Sequence, residues 1–102
     1  MAKINFSSVL TKLEGDPLKD DKQQDLTLAS AAKQALLVLD EKATGQQKYD
    51  HYVLAMKIAN GGDVTLKSEE ISTIKEVIGK YMYPVVVGQA WDLLEGKTRV
   101  DK

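Results

Sequence analysis

Residues 28–39 constrain the fold of this chain more than any other segment. Between Leu28 and Leu39 the only charged residue is Lys33, and the apolar residues recur at the spacing of one helical face. Thr27 is a suitable N-cap, because its hydroxyl can accept a hydrogen bond from an N–H group of the first turn. A helix with so little polar surface must be covered by other elements, so we expect it at the centre of the molecule. Its main face consists of Leu28, Ala31, Ala32, Ala35, Leu36 and Leu39.

A second helix is predicted over residues 45–60. Thr44 and Gln47 have the spacing of a capping box, in which each side chain accepts a hydrogen bond from the backbone N–H of the other residue. Asn60-Gly61-Gly62 would end the helix, because glycine and asparagine readily adopt the left-handed conformation. We expect the main apolar face of this helix to lie in the core, widened by Leu54, Ala55 and Ile58. That face consists of Tyr49, Tyr52, Val53, Met56 and Ala59.

A third helix is predicted over residues 68–82, after a short apolar connection at 64–66 that could be extended. Ser68 is the expected cap, and Glu69 and Glu70 lie in the first turn, where carboxylates interact favourably with the helix dipole. The three- and four-residue steps of the apolar residues indicate an amphipathic helix. These residues are Ile71, Ile74, Val77, Ile78 and Tyr81.

Pro84 separates the third helix from a fourth, which is predicted over residues 84–95. Proline disfavours helical backbone in the residue before it and suits the first position of a new helix. We expect Val87, Ala90, Trp91 and Leu94 to face inward. The β-branched run at 85–87 leaves a strand as the alternative. Residues 97–102 are expected to form a frayed tail.

The N-terminal residues 4–19 are predicted to form a β-hairpin, with Gly15 and Pro17 in its turn. The alternative is a short helix that has Phe6, Val9, Leu10 and Leu13 on one face. With the four helices, the hairpin gives a mainly α fold: a compact four-helix domain preceded by an N-terminal β-hairpin, in a single domain over residues 1–102. Its buried residues should include Leu36, Ile74, Val77, Trp91 and Leu94.

The charge pattern argues against nucleic-acid binding, and the hydropathy argues against a membrane protein. The net charge is −1, and 13 of the 14 basic residues are lysines, with Arg99 as the exception. Nucleic-acid binders gain affinity from a basic excess and from arginine contacts. The longest strongly apolar run, residues 35–39, is far shorter than the ~20 residues of a membrane helix. The N-terminal residues lack a secretory hydrophobic region, so we expect a cytoplasmic protein.

No residue pattern in the sequence indicates an enzyme, a metal site or a cofactor. There is no cysteine, and His51 is the single histidine. Asp50 and His51 are adjacent, so on a helix they point in different directions and do not form a dyad. The serines lie outside any Gly-x-Ser-x-Gly motif, and the glycines lack the spacing of a phosphate loop. We therefore expect a protein without catalytic residues or cofactors.

Two regions carry features that the fold itself does not require, and both are candidate partner-binding sites. Tyr81, Met82 and Tyr83 precede Pro84 at a helix junction, and tyrosine and methionine are enriched at protein interfaces. The other region, residues 14–25, has five acidic residues and two lysines and includes Asp20 and Asp21. Charge mainly changes the association rate, whereas aromatic anchors supply affinity, so the tyrosine pair should contribute more to binding.

Several short motifs of the chain resemble those of small bacteriophage accessory proteins of similar length. The first is Tyr52-x2-Ala55-Met56-Lys57-Ile58, and the second is Leu66-x2-Glu69-Glu70-x3-Ile74-Lys75-x2-Ile78-Gly79-Lys80. The third runs from Val87-Gly88-Gln89 to Glu95, and the fourth is Val9-Leu10-Thr11-x-Leu13-x-Gly15-x-Pro17-Leu18. This resemblance implies a viral protein that works in the cytoplasm of a bacterial host by binding another macromolecule. It transfers no active-site residue.

The leading hypothesis is a non-enzymatic protein that binds a host or phage protein and that can inhibit a host protein or defence system by occlusion. One alternative is a DNA-binding regulator, with the second and third helices as a loose helix-turn-helix. The gap between those helices is longer than the usual turn of 3–4 residues. The other alternative is a virion or assembly component whose function is homo-oligomerisation.

Overall fold

A computed structural model describes residues 2–19, 23–38 and 41–95. Two short strands and four helices follow one another, and the two strands form one antiparallel pair. The fold class is therefore as predicted: mainly α, with four helices and an N-terminal antiparallel strand pair. In chain order the elements are β1 Ala2–Asn5, α1 Leu28–Leu36, α2 Gly45–Ile58, β2 Asp63–Leu66, α3 Ser68–Tyr81 and α4 Pro84–Leu94.

Helix α1 occupies the centre, with α2 and α3 packed against it. Its alanines are buried together with Leu28 and Leu36, since small side chains allow neighbouring helices to approach closely. Thr27 caps the helix as predicted, and its hydroxyl accepts from the N–H of Ser30 at 3.2 Å. The helix ends at Leu36 rather than at residue 39, and Leu37 is exposed. Leu39 lies outside the described residues.

Local capping signals set the ends of the other helices, mostly as predicted. Thr44 and Gln47 form both hydrogen bonds of the capping box of α2. Gly61 has a φ of +71°, and its N–H donates to the carbonyl of Ile58 just after the helix ends. The predicted cap Ser68 is wrong: Lys67 is the N-cap of α3, because its backbone N–H donates to the Glu70 carboxylate at 2.9 Å.

Helix α2 packs against the core with a different face from the one predicted. The residues that pack inward are Leu54, Ala55 and Ile58, which were predicted only to widen the apolar stripe. Helix α2 has two apolar faces, and α1 covers the one that contains Leu54 and Ile58. The face predicted to be buried is exposed to solvent. It consists of Tyr49, Tyr52, Val53, Met56 and Ala59.

Helix α4 includes residues 85–87, so the strand alternative is wrong. Its buried residues are Val86, Ala90 and Leu94, and Val87 is half-buried. Trp91 was predicted to be buried, yet 38% of it is exposed. The other four predicted core residues, Leu36, Ile74, Val77 and Leu94, are buried.

Trp91 lies across α3 instead of entering the core. Its indole N–H donates to the carbonyl of Lys75 at 3.0 Å, and the Lys75 ammonium lies 4.7 Å from the ring centroid. A Cβ built on Gly79 would come within 3.1 Å of the indole, so the ring rests on the surface that this glycine leaves open. A large side chain with one polar atom commonly remains partly exposed to solvent in this way.

The strand pair joins the N-terminus to the segment between α2 and α3. Strand β1 pairs with β2 in a register that sets Ala2 opposite Leu66 and Asn5 opposite Asp63. The Ser7 hydroxyl accepts from the N–H of Gly62 at 2.8 Å. A Cβ on Gly61 would come within 2.8 Å of the same hydroxyl oxygen, so this turn requires glycine for space as well as for its positive φ.

Three short extended segments, at residues 9–11, 17–19 and 25–27, are joined by hydrogen bonds in a closed ring, which we call the N-terminal ring. The N–H of Leu10 donates to Leu26, that of Leu26 to Leu18, and that of Leu18 to Leu10. In place of the β-hairpin predicted over residues 4–19, the structure has a chain reversal closed by an isolated antiparallel bridge between Thr11 and Pro17, because the first strand pairs with residues 63–66 instead. The third segment and the pairing of β1 with β2 were not predicted.

A candidate protein-interaction surface

Tyr83 is held at the junction of α3 and α4 with its side chain in solvent. Pro84 is the first residue of α4, and it keeps Tyr83 extended, with a φ of −71° and a ψ of 155°. The carbonyl of Tyr83 accepts from the N–H groups of Val86 and Val87, both at 2.9 Å, so its backbone is fixed by the helix start. The residue is 79% exposed. An aromatic side chain on a rigid backbone loses little conformational freedom when it binds.

Tyr81 and Met82 differ from Tyr83 in their environment. Both are half-buried and pack against the core. The Lys80 ammonium lies 5.4 Å from the centroid of the Tyr81 ring. Of the three residues predicted to bind a partner at this junction, Tyr83 is therefore the one that projects into solvent.

A shallow depression of about 180 Å³ begins at Pro84, the residue after Tyr83, and lies between α4 and the turn that carries Leu13; the Tyr83 side chain does not line it. Leu13 forms one side and is 78% exposed. The α4 side combines apolar surface with one carboxylate: it consists of Pro84, Val85, Gly88, Gln89 and Asp92. The exposed Leu13 side chain and the apolar surface of Pro84 and Val85 offer a site that a partner's apolar side chain can contact.

Gln89 fixes the position of the turn that carries Leu13. Its Oε1 accepts from the N–H of Thr11 at 2.8 Å, and its Nε2 donates to the carbonyl of Thr11. The same Nε2 also donates to the carbonyl of Val85 at 3.1 Å. The side-chain amide thus pairs with Thr11 much as a neighbouring strand would, and it connects the N-terminal ring to α4.

The acidic stretch is described only in part. The predicted binding residues Asp20 and Asp21 lie outside the described residues. Glu14 and Asp16 are exposed on the turn beside Leu13. Lys19 and Asp25 form an ion pair at 2.5 Å, with both side chains about half exposed, and so they partly neutralise the charge of the stretch.

The pKa of Glu70 clearly departs from its ordinary value. Partial burial raises the pKa of Glu70, but the backbone N–H of Lys67 and the ammonium of Lys57 outweigh this effect, so the net pKa is lowered. Lys57 Nζ lies 3.1 Å from both carboxylate oxygens. This group joins α2 to the start of α3 and has a structural role.

His51 is half-buried and lines a second depression, of about 150 Å³, between α2 and α3. Asp50, Thr73 and Glu76 also line it. Within residues 2–19, 23–38 and 41–95, no group of three histidine, cysteine, aspartate or glutamate residues is placed to hold a metal ion.

The exposed face of α2 is an apolar surface that the sequence analysis missed. We call Tyr49, Tyr52, Val53 and Met56 the outer stripe of α2. Its residues have helical spacing, and no charged residue lies among them on this face. The signal that could have revealed it was present: α2 has apolar residues on two opposite faces, and the face richer in aromatic and methionine side chains is the exposed one.

Comparison of the chain with protein-family models, with curated proteins and with solved structures found no match. In the described part of the chain, no helix has the length and apolar character needed to cross a membrane.

Proposed function

We propose that this protein acts by binding another protein through Tyr83 and the depression beside it. The observation that carries the proposal is the 79% exposure of Tyr83 on a backbone that Pro84 and the start of α4 hold rigid. Tyrosine is among the residues that most often dominate interface energies. Leu13 and Val85 add apolar surface around the same depression.

The resemblance to bacteriophage accessory proteins supports a more specific form of this proposal. In that form the protein works in the bacterial cytoplasm, where it occupies a host protein or a component of a defence system and blocks its normal contacts. The acidic residues of the stretch 14–25 would speed association with a basic partner. Neutralising Asp20 and Asp21 should therefore slow association mainly at low salt.

A DNA-binding function has less support. Helices α2 and α3 are separated by residues 59–67, which include β2, whereas a helix-turn-helix joins its helices by a turn of about 3–4 residues. We expect binding to duplex DNA at physiological salt to be no tighter than the ~10⁻⁴–10⁻⁶ M of non-specific contacts. Nanomolar binding in a gel-shift assay, with a steep dependence on salt, would contradict the proposed function.

Capture from a bacterial lysate tests the proposal. The immobilised wild-type chain should retain a partner that Tyr83→Ala and Leu13→Ala retain poorly. Leu37→Ala is the matched control, because Leu37 is an exposed apolar residue at the end of α1, away from this depression. Equal retention by Tyr83→Ala and wild type would show that binding occurs elsewhere.

A further inference from the structure

The outer stripe of α2 is too regular to be a scatter of exposed apolar residues. Tyr49, Tyr52, Val53 and Met56 occupy the first, fourth, fifth and eighth positions of two helical turns, the pattern by which a helix packs on another helix. Their exposed fractions are 61%, 52%, 43% and 60%. The Tyr49 and Tyr52 rings lie 6.3 Å apart and contact each other at the edge of the stripe.

The exposed area matches the apolar centre of a small dimer interface. Since a tyrosine side chain offers about 200 Å² when fully exposed, and valine and methionine offer less, the stripe presents roughly 400 Å² per copy. A standard interface covers about 800 Å² per partner and surrounds its apolar centre with a polar rim. The stripe supplies about half of this area, and the polar residues that flank it must supply the rest.

The order of residues along α2 suits an antiparallel pairing of the helix with itself. A two-fold axis that passes between Tyr52 and Val53 brings each of these residues near its own counterpart in the second copy. The same axis sets Tyr49 opposite Met56, where sulfur–aromatic contact is favourable. A two-fold interface uses the same patch of both copies, so the patch must be complementary to its own inverted copy. The order of residues in the outer stripe meets this condition.

The charges beside the stripe favour the same arrangement. Asp50 and Lys57 flank the stripe on the same edge of α2, seven residues apart. Antiparallel pairing brings Asp50 of one copy near Lys57 of the other at two symmetric places, where the Lys57 ammonium also holds Glu70 of its own copy. Lys48 flanks the opposite edge and lies near Ala59 of the second copy, so no like charges are opposed.

We propose that two copies of this chain associate through the outer stripe of α2 as an antiparallel, two-fold symmetric dimer. Tyr83 is not part of the stripe, so each copy in the dimer keeps its own Tyr83. The two proposals therefore fail independently: a monomeric protein that still binds its partner would contradict the dimer alone.

Sedimentation equilibrium of the full chain over a concentration series measures the association. Wild type should form dimers, and Val53→Lys should weaken dimerisation at least about tenfold, because it places two ammonium groups near the two-fold axis. Val38→Lys is the matched control, since it changes an exposed valine outside the stripe and should leave the association unchanged. A wild-type monomer at all concentrations up to several hundred micromolar would overturn the proposal.

Cross-linking tests the antiparallel orientation, and the chain is suited to it because it has no cysteine of its own. Tyr49→Cys and Met56→Cys, mixed and oxidised, should give a disulfide-linked dimer on a non-reducing gel. Each variant alone should give little. Efficient cross-linking of each variant alone, with no increase on mixing, would indicate parallel helices and overturn the proposed geometry.

Discussion

Replacing Gln89 should show how strongly the N-terminal ring is held to the helices. Gln89→Leu keeps the helix preference of the side chain but removes its amide. The change eliminates the two hydrogen bonds with the backbone of Thr11 and the one with the carbonyl of Val85. The N–H and C=O of Thr11 then lose their partner at a half-buried position.

The expected cost follows from these contacts. Each intramolecular hydrogen bond contributes about 0.5–1.5 kcal/mol net, and a buried polar group left without a partner costs about 1–3 kcal/mol. Because the site is only half-buried, water can replace part of what is lost, and we expect a destabilisation of about 2 kcal/mol. For a domain of this size, that corresponds to a fall in Tm of roughly 10 °C.

Urea denaturation followed by circular dichroism measures this change. Gln34→Leu is the control, because Gln34 is exposed on α1 and its substitution should change stability by less than about 0.5 kcal/mol. If Gln89→Leu costs no more than this control, the amide contacts contribute nothing, and the ring must be held by its apolar residues alone.

Three further predictions concern the core, the Glu70 group and Trp91. Ile74→Ala, at a fully buried position of α3, should cost about 2–5 kcal/mol in urea denaturation, and a loss below ~1 kcal/mol would contradict the placement of this residue in the core. Because the pKa of Glu70 is lowered in the folded state, its contribution to stability is present above the ordinary glutamate value of 4.5 and is lost as pH falls through the lowered value. The difference in unfolding free energy between wild type and Glu70→Gln should therefore shrink on acidification, and a difference independent of pH would refute this. Gly79→Ala should push the indole of Trp91 off α3 and shift its fluorescence to longer wavelength, whereas an unchanged spectrum would show that the ring does not rest on Gly79.

Features decided by short-range chemistry could be predicted from the sequence. Thr27, Thr44, Gly61 and Pro84 mark helix ends by local hydrogen bonding or backbone preference, and each has its predicted role. Ser68 is the exception, because Lys67 and Glu70 form the same kind of cap through a backbone N–H, which any residue can supply.

Features decided by long-range packing could not be predicted. The two apolar faces of α2 are equivalent in periodicity, and only the position of α1 determines which of them is buried. Trp91 has the helical spacing of a core residue, yet its indole N–H donates to the carbonyl of Lys75 at the surface. In the N-terminal ring, Leu10, Leu18 and Leu26 recur every eight residues, which indicates neither a helix nor a regular hairpin.

The sequence predicts the location of the candidate site but not which of its side chains are exposed. Pro84 identified the junction at which Tyr83 is exposed, but it could not separate Tyr83 from Tyr81, whose ring packs against the core. The sequence places Leu13 in the predicted hairpin or in its helical alternative but not at a binding site, and its place beside Pro84 depends on the contact between Gln89 and Thr11.

The dissociation constant of the captured complex, measured by titration calorimetry for wild type and Tyr83→Ala, tests the proposed binding surface most directly. Loss of an aromatic anchor worth about 2 kcal/mol predicts a roughly 30-fold weaker complex. The unfolding free energy of the variant should stay within about 0.5 kcal/mol of wild type, because Tyr83 is 79% exposed. A dissociation constant unchanged by Tyr83→Ala would contradict the account.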